Sequence, residues 1–310
     1  MDTLGILLEQ IGLFVIYILT GIALVKTKVM NQPSLEVIAR FVLKLALPVM
    51  IFSNTVGGVE KDALIRSLPI LGLTALLYIL LFFVSKGLAK LFGLRGDTAQ
   101  VYRALTMFGN VGFMGIPIVT SLYPENGMLY ISVFTIIDQM VLWTLGVKLT
   151  TPSGQGKFHP SKMVNPATVA IVLAVILILL ELPLPPLLET AMQKIGGAAT
   201  PLAMIYLGGV FACMEIKKYI GKKELYGIVI AKMFLFSLLF YEILGLLPLA
   251  AEVRMTMALL AAMPSMSSVV MMAKASGSEG DYAMGGILVT TVCSLVTLPA
   301  VCWIFQFILP

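Results

Sequence analysis

Ten apolar runs, most of them about 20 residues long and fenced by short polar connections, fill almost the whole chain. They lie at roughly 4–24, 35–56, 66–91, 98–122, 127–149, 164–182, 190–214, 223–243, 252–273 and 282–308. A helix needs about 20 apolar residues to cross a hydrocarbon core about 30 Å thick. The pattern therefore predicts an all-α polytopic membrane protein with ten transmembrane helices. Composition agrees. The chain is 59% hydrophobic and 12% charged, whereas soluble domains are about 45–50% apolar and about 25% charged. An ordinary soluble enzyme, a disordered chain and a nucleic-acid binder are excluded as classes. The net charge of +5 is read as a property of membrane-flanking loops.

The basic residues are unevenly spread. Odd-numbered connections hold thirteen Lys and Arg residues, among them Lys26, Lys86, Arg95, Lys148, Lys217 and Lys223. Even-numbered connections hold four, namely Lys61, Arg66, Lys194 and Arg254, beside acidic neighbours such as Glu60, Asp62 and Glu189. Cytoplasmic loops carry the excess of positive charge. The expected location is a cell membrane of prokaryotic type, with both termini outside and the central loop in the cytoplasm. No basic residue precedes Lys26, so the first run reads as a retained span and not as a cleaved signal. The only histidine, His159, falls in the longest polar connection, 150–162, and reads as a solvated side chain. Cys213, Cys293 and Cys302 have no metal-type spacing and read as thiols packed in helices.

The two halves echo each other. LALPVMIFSN, with Pro48, matches ATPLAMIYLGG, with Pro201, at an offset of 153 residues. ALTMFGNVGFMG from Ala104 matches ALLAAMPSMSSVV from Ala258 at 154. The expected division is a first five-helix repeat at 1–149, a short cytoplasmic loop at 150–162 and a second repeat at 163–310. Five is odd, so the second repeat enters from the other side and is inverted. Inverted repeats mark secondary transporters. The competing explanation is chance likeness among helices rich in Leu, Ala and Gly.

Runs four and nine carry helix-disturbing residues near mid-membrane. Run four has Gly109, Asn110, Gly112, Gly115 and Pro117; run nine has Pro264, Ser265, Ser267 and Ser268. Asn110 comes about 11 residues into its run, or about 16 Å at 1.5 Å per residue, close to the middle of the core. Glycine is permissive, and proline removes an N–H and clashes with the preceding turn. Paired breaks in two inverted halves point to a midplane binding site, with half-helix N-termini aimed at an anion. The site residues read this way are Gly109, Asn110, Gly112, Pro117, Pro264, Ser265, Ser267 and Ser268. The alternative is a pair of kinked packing helices with small residues for close approach.

LKLALPVMIF, GNVGFMGIPI, NPATVAIVLAV, GGAATPLAMIYLGG, AAMPSMSSVVMMAKASG and SLVTLPAV, in that order along nearly the whole chain, resemble the auxin efflux carrier family. That family includes the plant PIN-FORMED carriers and prokaryotic permeases. The resemblance implies two inverted five-helix repeats and a crossover where helices four and nine break. It further implies a scaffold of helices one, two, six and seven, elevator-type alternating access, and organic-anion substrates. Asn110 falls on the family's crossover asparagine, and Pro117 and Pro264 on its crossover prolines. The chain lacks the long central hydrophilic loop of the plant carriers and an obvious acidic residue in its third span.

Asp138 stands near the middle of run five, with Gln139 beside it. An ionisable group at that depth is functional by default, and the pair is the candidate for coupling to H⁺ or Na⁺. A hydrogen-bonded structural aspartate is the alternative. Lys44 and Lys232 also lie within runs; Lys44 is the candidate cation of an anion pathway, while Lys232 reads as structural. Asn54 could line the scaffold side or end its helix. No phosphate loop, HExxH, GxSxG or paired catalytic carboxylates occur, so neither an enzyme nor a cofactor is expected. The favoured function is a secondary transporter of a small organic anion such as malate, malonate or an auxin-like acid. The expected partners are the lipid bilayer and a second copy of the chain joined through the scaffold helices. Competing readings are a membrane sensor that binds a carboxylate without turnover, and a Na⁺-coupled carrier of the bile-acid-symporter kind.

Overall fold

A computed structural model describes residues 3–58, 61, 65, 67–153 and 166–307. His159 and most of the 150–162 connection lie outside the described residues. The described chain is helical, with no β-strand among the described residues beyond one isolated bridge. Its longer helices are α1 (Thr3–Lys26), α2 (32–58), α3 (Pro69–Leu91), α4 (Gly96–Met107), α5 (Val111–Leu122), α6 (Gly127–Thr150), α7 (Pro166–Leu179), α8 (Pro186–Cys213), α9 (Lys223–Gly245), α10 (Ala251–Ala262), α11 (Ser267–Ala275) and α12 (Gly280–Phe307). Among the described residues α1, α3, α6, α8, α9 and α12 are each long and apolar enough to cross a membrane, and α5 and α7 are shorter apolar helices. The protein is a polytopic membrane protein.

Local chemistry accounts for where the helices start and deform. Asn31 caps α2 by accepting from the Ser34 N–H at 3.1 Å, one of the orphan donors of a first turn. Pro48 would clash with the carbonyl four residues earlier. The backbone widens there into a π turn at Val42–Ala46, which holds Lys44. Pro117 acts alike, with its π turn at Val111–Gly115. Pro201 coincides with the bend in α8 between Gly197 and Ala199.

The described chain forms two compact units, each drawn from both halves of the sequence. One comprises Met1–Pro69, Gly112–Ile136 and Val164–Met214. Its core is the packing of α1 on the second half of α8. A Cβ on Gly21 would stand 2.0 Å from the Ile205 carbonyl oxygen, and one on Gly208 would stand 2.0 Å from that of Ile18. Only glycine permits that approach, as small residues do at helix interfaces in lipid. Thr55 and Ser132 share a hydroxyl hydrogen bond of 2.9 Å in the same unit.

The other unit comprises Ile70–Val111, Ile137–Met163 and Glu215–Pro310. It contains α3, α4, the end of α6 and α9–α12. It also contains both helix breaks, between α4 and α5 and between α10 and α11. None of the three cysteines forms a disulfide.

Candidate functional site

Helix α4 ends at Met107, and Phe108 is extended, with φ −96° and ψ 114°. Helix α10 ends at Ala262, and Met263 is also extended, with ψ 141°. Pro264 explains the latter, because proline pushes the preceding residue out of the helical region. The extended pieces meet antiparallel, with Gly109 bridged to Ser265. The Asn110 N–H donates to the Pro264 carbonyl at 2.7 Å, and the Met266 N–H donates to the Phe108 carbonyl at 2.9 Å. Backbone that leaves a helix inside a membrane must be satisfied by protein or by a wet cavity. Here each broken helix supplies the partners of the other.

Side chains complete the crossing. Ser265 is fully buried, and its hydroxyl donates to the Leu105 carbonyl at 2.8 Å, filling one of the orphan acceptors at the end of α4. The Ser265 N–H donates to Thr290 Oγ1 on α12 at 3.2 Å. The Asn110 side chain is buried at 0% exposure. Ser267 and Ser268 open α11, whose first turn has no side-chain cap. The structure thus brings Gly109, Asn110, Pro264 and Ser265 together, with Ser267 and Ser268 next along the chain.

A lysine lies at the same crossing. Lys232, at 1% exposure, projects from a π stretch of α9, Val229–Phe236. Its ammonium donates to the Met263 carbonyl. It stands 3.4 Å from where a Cβ of Gly109 would be, beside Met263 at 3.1 Å. Lys44, the cation picked out by sequence, is exposed on α2 in the other unit. Gly112, Pro117 and Asn54 also belong to that other unit.

A second polar cluster surrounds Asp138, at 1% exposure. The Tyr78 hydroxyl on α3 donates to one carboxylate oxygen, and Gln139 Nε2 donates to the other at 2.9 Å. Trp143 Nε1 donates to Gln139 Oε1 at 3.1 Å. The Tyr78 ring lies 5.7 Å from that of Phe108, centroid to centroid, next to the α4 break. Gln139 is the partner expected from sequence; Tyr78 was not foreseen. The available signal was a phenol in the apolar run TALLYILLF, since a buried hydroxyl needs a partner. For Lys232 the signal was its own mid-run position. Among the described residues no group of three His, Cys, Asp or Glu could hold a metal ion.

Comparison with known proteins fits this architecture. A curated protein of Rhizobium meliloti (strain 1021), named "Putative malonate transporter", is 24% identical over 290 residues, covering 86% of this chain and 85% of that one. The family described as membrane transport protein matches residues 6–163 and 156–302. With nearly every residue covered, the chain belongs to this membrane transport family of auxin efflux carrier type, and it is a transporter and not an enzyme.

Proposed function

We propose that this transporter carries a small organic anion, bound at the crossing of the two broken helices. The observation that carries the reading is the reciprocal pairing across Gly109 and Ser265. It holds two helix interruptions together while the first turn of α11 stays uncapped. Uncapped N–H groups and the helix dipole favour negative charge. The relative's printed name, a malonate transporter, adds a dicarboxylate to the candidates.

In this reading the ten runs form two inverted five-helix repeats, 1–149 and 163–310, joined by a cytoplasmic loop at 150–162. The chain sits in a prokaryotic plasma membrane with both termini outside, and pairs with a second copy through scaffold helices. Access alternates by an elevator motion. What supports it is that the paired backbone of the two breaks, 108–110 and 264–266, falls in a single compact unit. Asp138 and Gln139 serve coupling to H⁺ or Na⁺.

The test is uptake of radiolabelled malonate into proteoliposomes. Asn110→Ala is expected to lower uptake by about tenfold or more, the worth of one buried hydrogen bond to a charged group. Wild-type uptake of malonate, malate and auxin-like acids no better than that of empty liposomes refutes the substrate class. Undiminished uptake by a folded Asn110→Ala variant refutes the site.

A further inference from the structure

The end of α7 is strained. Its last turn closes with the Leu182 N–H donating to the Leu177 carbonyl at 3.0 Å and the Glu181 N–H donating to the Ile178 carbonyl at 3.1 Å. This is the helix ending that usually puts a glycine in the left-handed region. Glu181 holds that place here, with φ 54°, and a side chain makes the conformation costly. Its carboxylate meets the Lys61 ammonium at 3.0 Å, with both side chains well exposed, at 70% and 42%. An exposed ion pair stabilises by less than such strain costs. Strain that the local contacts do not offset points to a further use of the position.

Beside this turn lies an open cleft of about 580 Å³, within the range of about 300–1,000 Å³ usual for ligand sites. Its walls come from the end of α2, the end of α7 and the start of α8, all in one compact unit, and the crossing belongs to the other. Leu177, Ile178 and Leu184 make the walls apolar, while Lys61, Glu181 and Glu189 bring charge of both signs. Glu189 Oε1 accepts from Gln193 Nε2 at 3.2 Å. Glu189 is in no ion pair among the described residues. A Cβ on Gly57 would stand 3.2 Å from that oxygen, so the glycine leaves the carboxylate its place in the cleft.

The cleft lies at the depth of lipid headgroups. Helix α7 is apolar through Leu179, and charge begins at Glu181. Leu173 and Val169 stand four and eight residues before Leu177, on the same helical face, and both are exposed. Eight residues of helix extend this apolar track by about 12 Å. Charge of both signs above an apolar track matches a zwitterionic phospholipid. Among the described residues no aromatic side chain lines the cleft, whereas quaternary ammonium groups are held in aromatic cages. A primary ammonium, with N–H donors for a carboxylate, fits better.

We propose that this cleft is a specific site for a zwitterionic phospholipid whose headgroup ends in a primary ammonium. The ammonium pairs with Glu189, the phosphate pairs with Lys61, and the acyl chains follow α7. Glu181 holds Lys61 at the cleft. The site does not depend on the crossing being the substrate site.

Native mass spectrometry of the purified full chain, stripped of lipid in detergent, tests it by titration with phosphatidylethanolamine, phosphatidylcholine and phosphatidylglycerol. One phosphatidylethanolamine per chain should bind at least fivefold more tightly than either of the others. Glu189→Gln should erase that preference and leave phosphatidylglycerol binding unchanged. Glu181→Gly relieves the strain, so thermal denaturation should find it as stable as wild type or more so, yet it should bind phosphatidylethanolamine more weakly. Equal binding of the three lipids by wild type means adventitious lipid only and overturns the proposal. A Glu189→Gln protein that keeps the preference does the same. So does a Glu181→Gly protein that is less stable but binds normally, since Glu181 would then serve the fold alone. Glycerophosphoethanolamine bound as tightly as the whole lipid would make the ligand a soluble zwitterion, and dodecylamine bound as tightly would make it a cationic amphiphile; either result overturns the phospholipid.

Discussion

The crossing and the Asp138 cluster bury polar groups in the same unit, but they close their bonding differently. At Asp138 the carboxylate is surrounded by donors from the protein. Tyr78 and Gln139 take one oxygen each, and Trp143 holds Gln139 from behind. At the crossing the backbone is paired and Ser265 is bonded through both its N–H and its hydroxyl. The Lys232 side chain donates to a carbonyl there, and the first turn of α11 has no side-chain cap among the described residues. The first cluster is complete with protein groups alone. The second is held chiefly by paired backbone, and it is where the proposed site lies. Burial of polar groups by itself does not mark a binding site.

The largest effect that could break this contrast is expected at Asp138. Asp138→Leu removes the acceptor of both Tyr78 and Gln139 and leaves two buried donors stranded, at a cost of about 2–5 kcal/mol. Asp138→Asn keeps an oxygen toward Tyr78 and should cost less. Thermal denaturation in detergent gives the ranking, with Leu well below Asn and Asn below wild type. A Leu variant as stable as wild type would show that the cluster is not closed as described. The Asn variant also tests coupling: loss of pH or Na⁺ dependence of uptake is expected, and its full retention removes Asp138 from that role.

A smaller effect is expected at the frame of the crossing. Thr290→Val keeps the shape of the side chain but takes away the oxygen that accepts from the Ser265 N–H. One unmade bond costs about 1–3 kcal/mol. Malonate affinity should fall little, because Thr290 supports the bend and is not among the groups left for a guest. A Thr290→Val protein that is fully stable but loses ligand would reverse the assignment, making Thr290 a binding group and the frame unnecessary.

Part of this contrast is legible in the sequence alone. Six long apolar spans were readable because lipid demands continuous apolar length. The breaks at 108–110 and 263–266 were readable because Gly109, Asn110 and Pro264 oppose helix at mid-depth. The partners were not readable. Tyr78 and Asp138 are 60 residues apart, and no local pattern links them. Lys232 is harder still. It sits in a π stretch eight residues long, where the 3.6-residue register that assigns faces no longer applies. Lys44 occupies a similar π turn and comes out exposed, so sequence position alone could not rank the two. Nor could an apolar pattern show that each compact unit would draw on both halves of the chain.

The smallest effect is expected away from both clusters, at the start of α4, just outside the predicted span 98–122. Asp97 is exposed and accepts from the Ser153 N–H at 2.8 Å and from its hydroxyl at 2.7 Å. Those bonds hold its carboxyl below the usual carboxylate range. A carboxyl depressed in the folded state lends support that is present above its unfolded pKa and is lost as pH falls through the folded value. Protection of the Ser153 amide against hydrogen exchange, corrected for intrinsic rate, should therefore be steady near neutral pH and fall in acid. In Asp97→Asn it should show no such fall. Malonate transport should be the same in both proteins at neutral pH, since an exposed tie of this kind is worth little. If acid loosened Ser153 equally in the Asn variant, titration elsewhere would be acting there. The Asp97 carboxylate would then not be the group that holds Ser153.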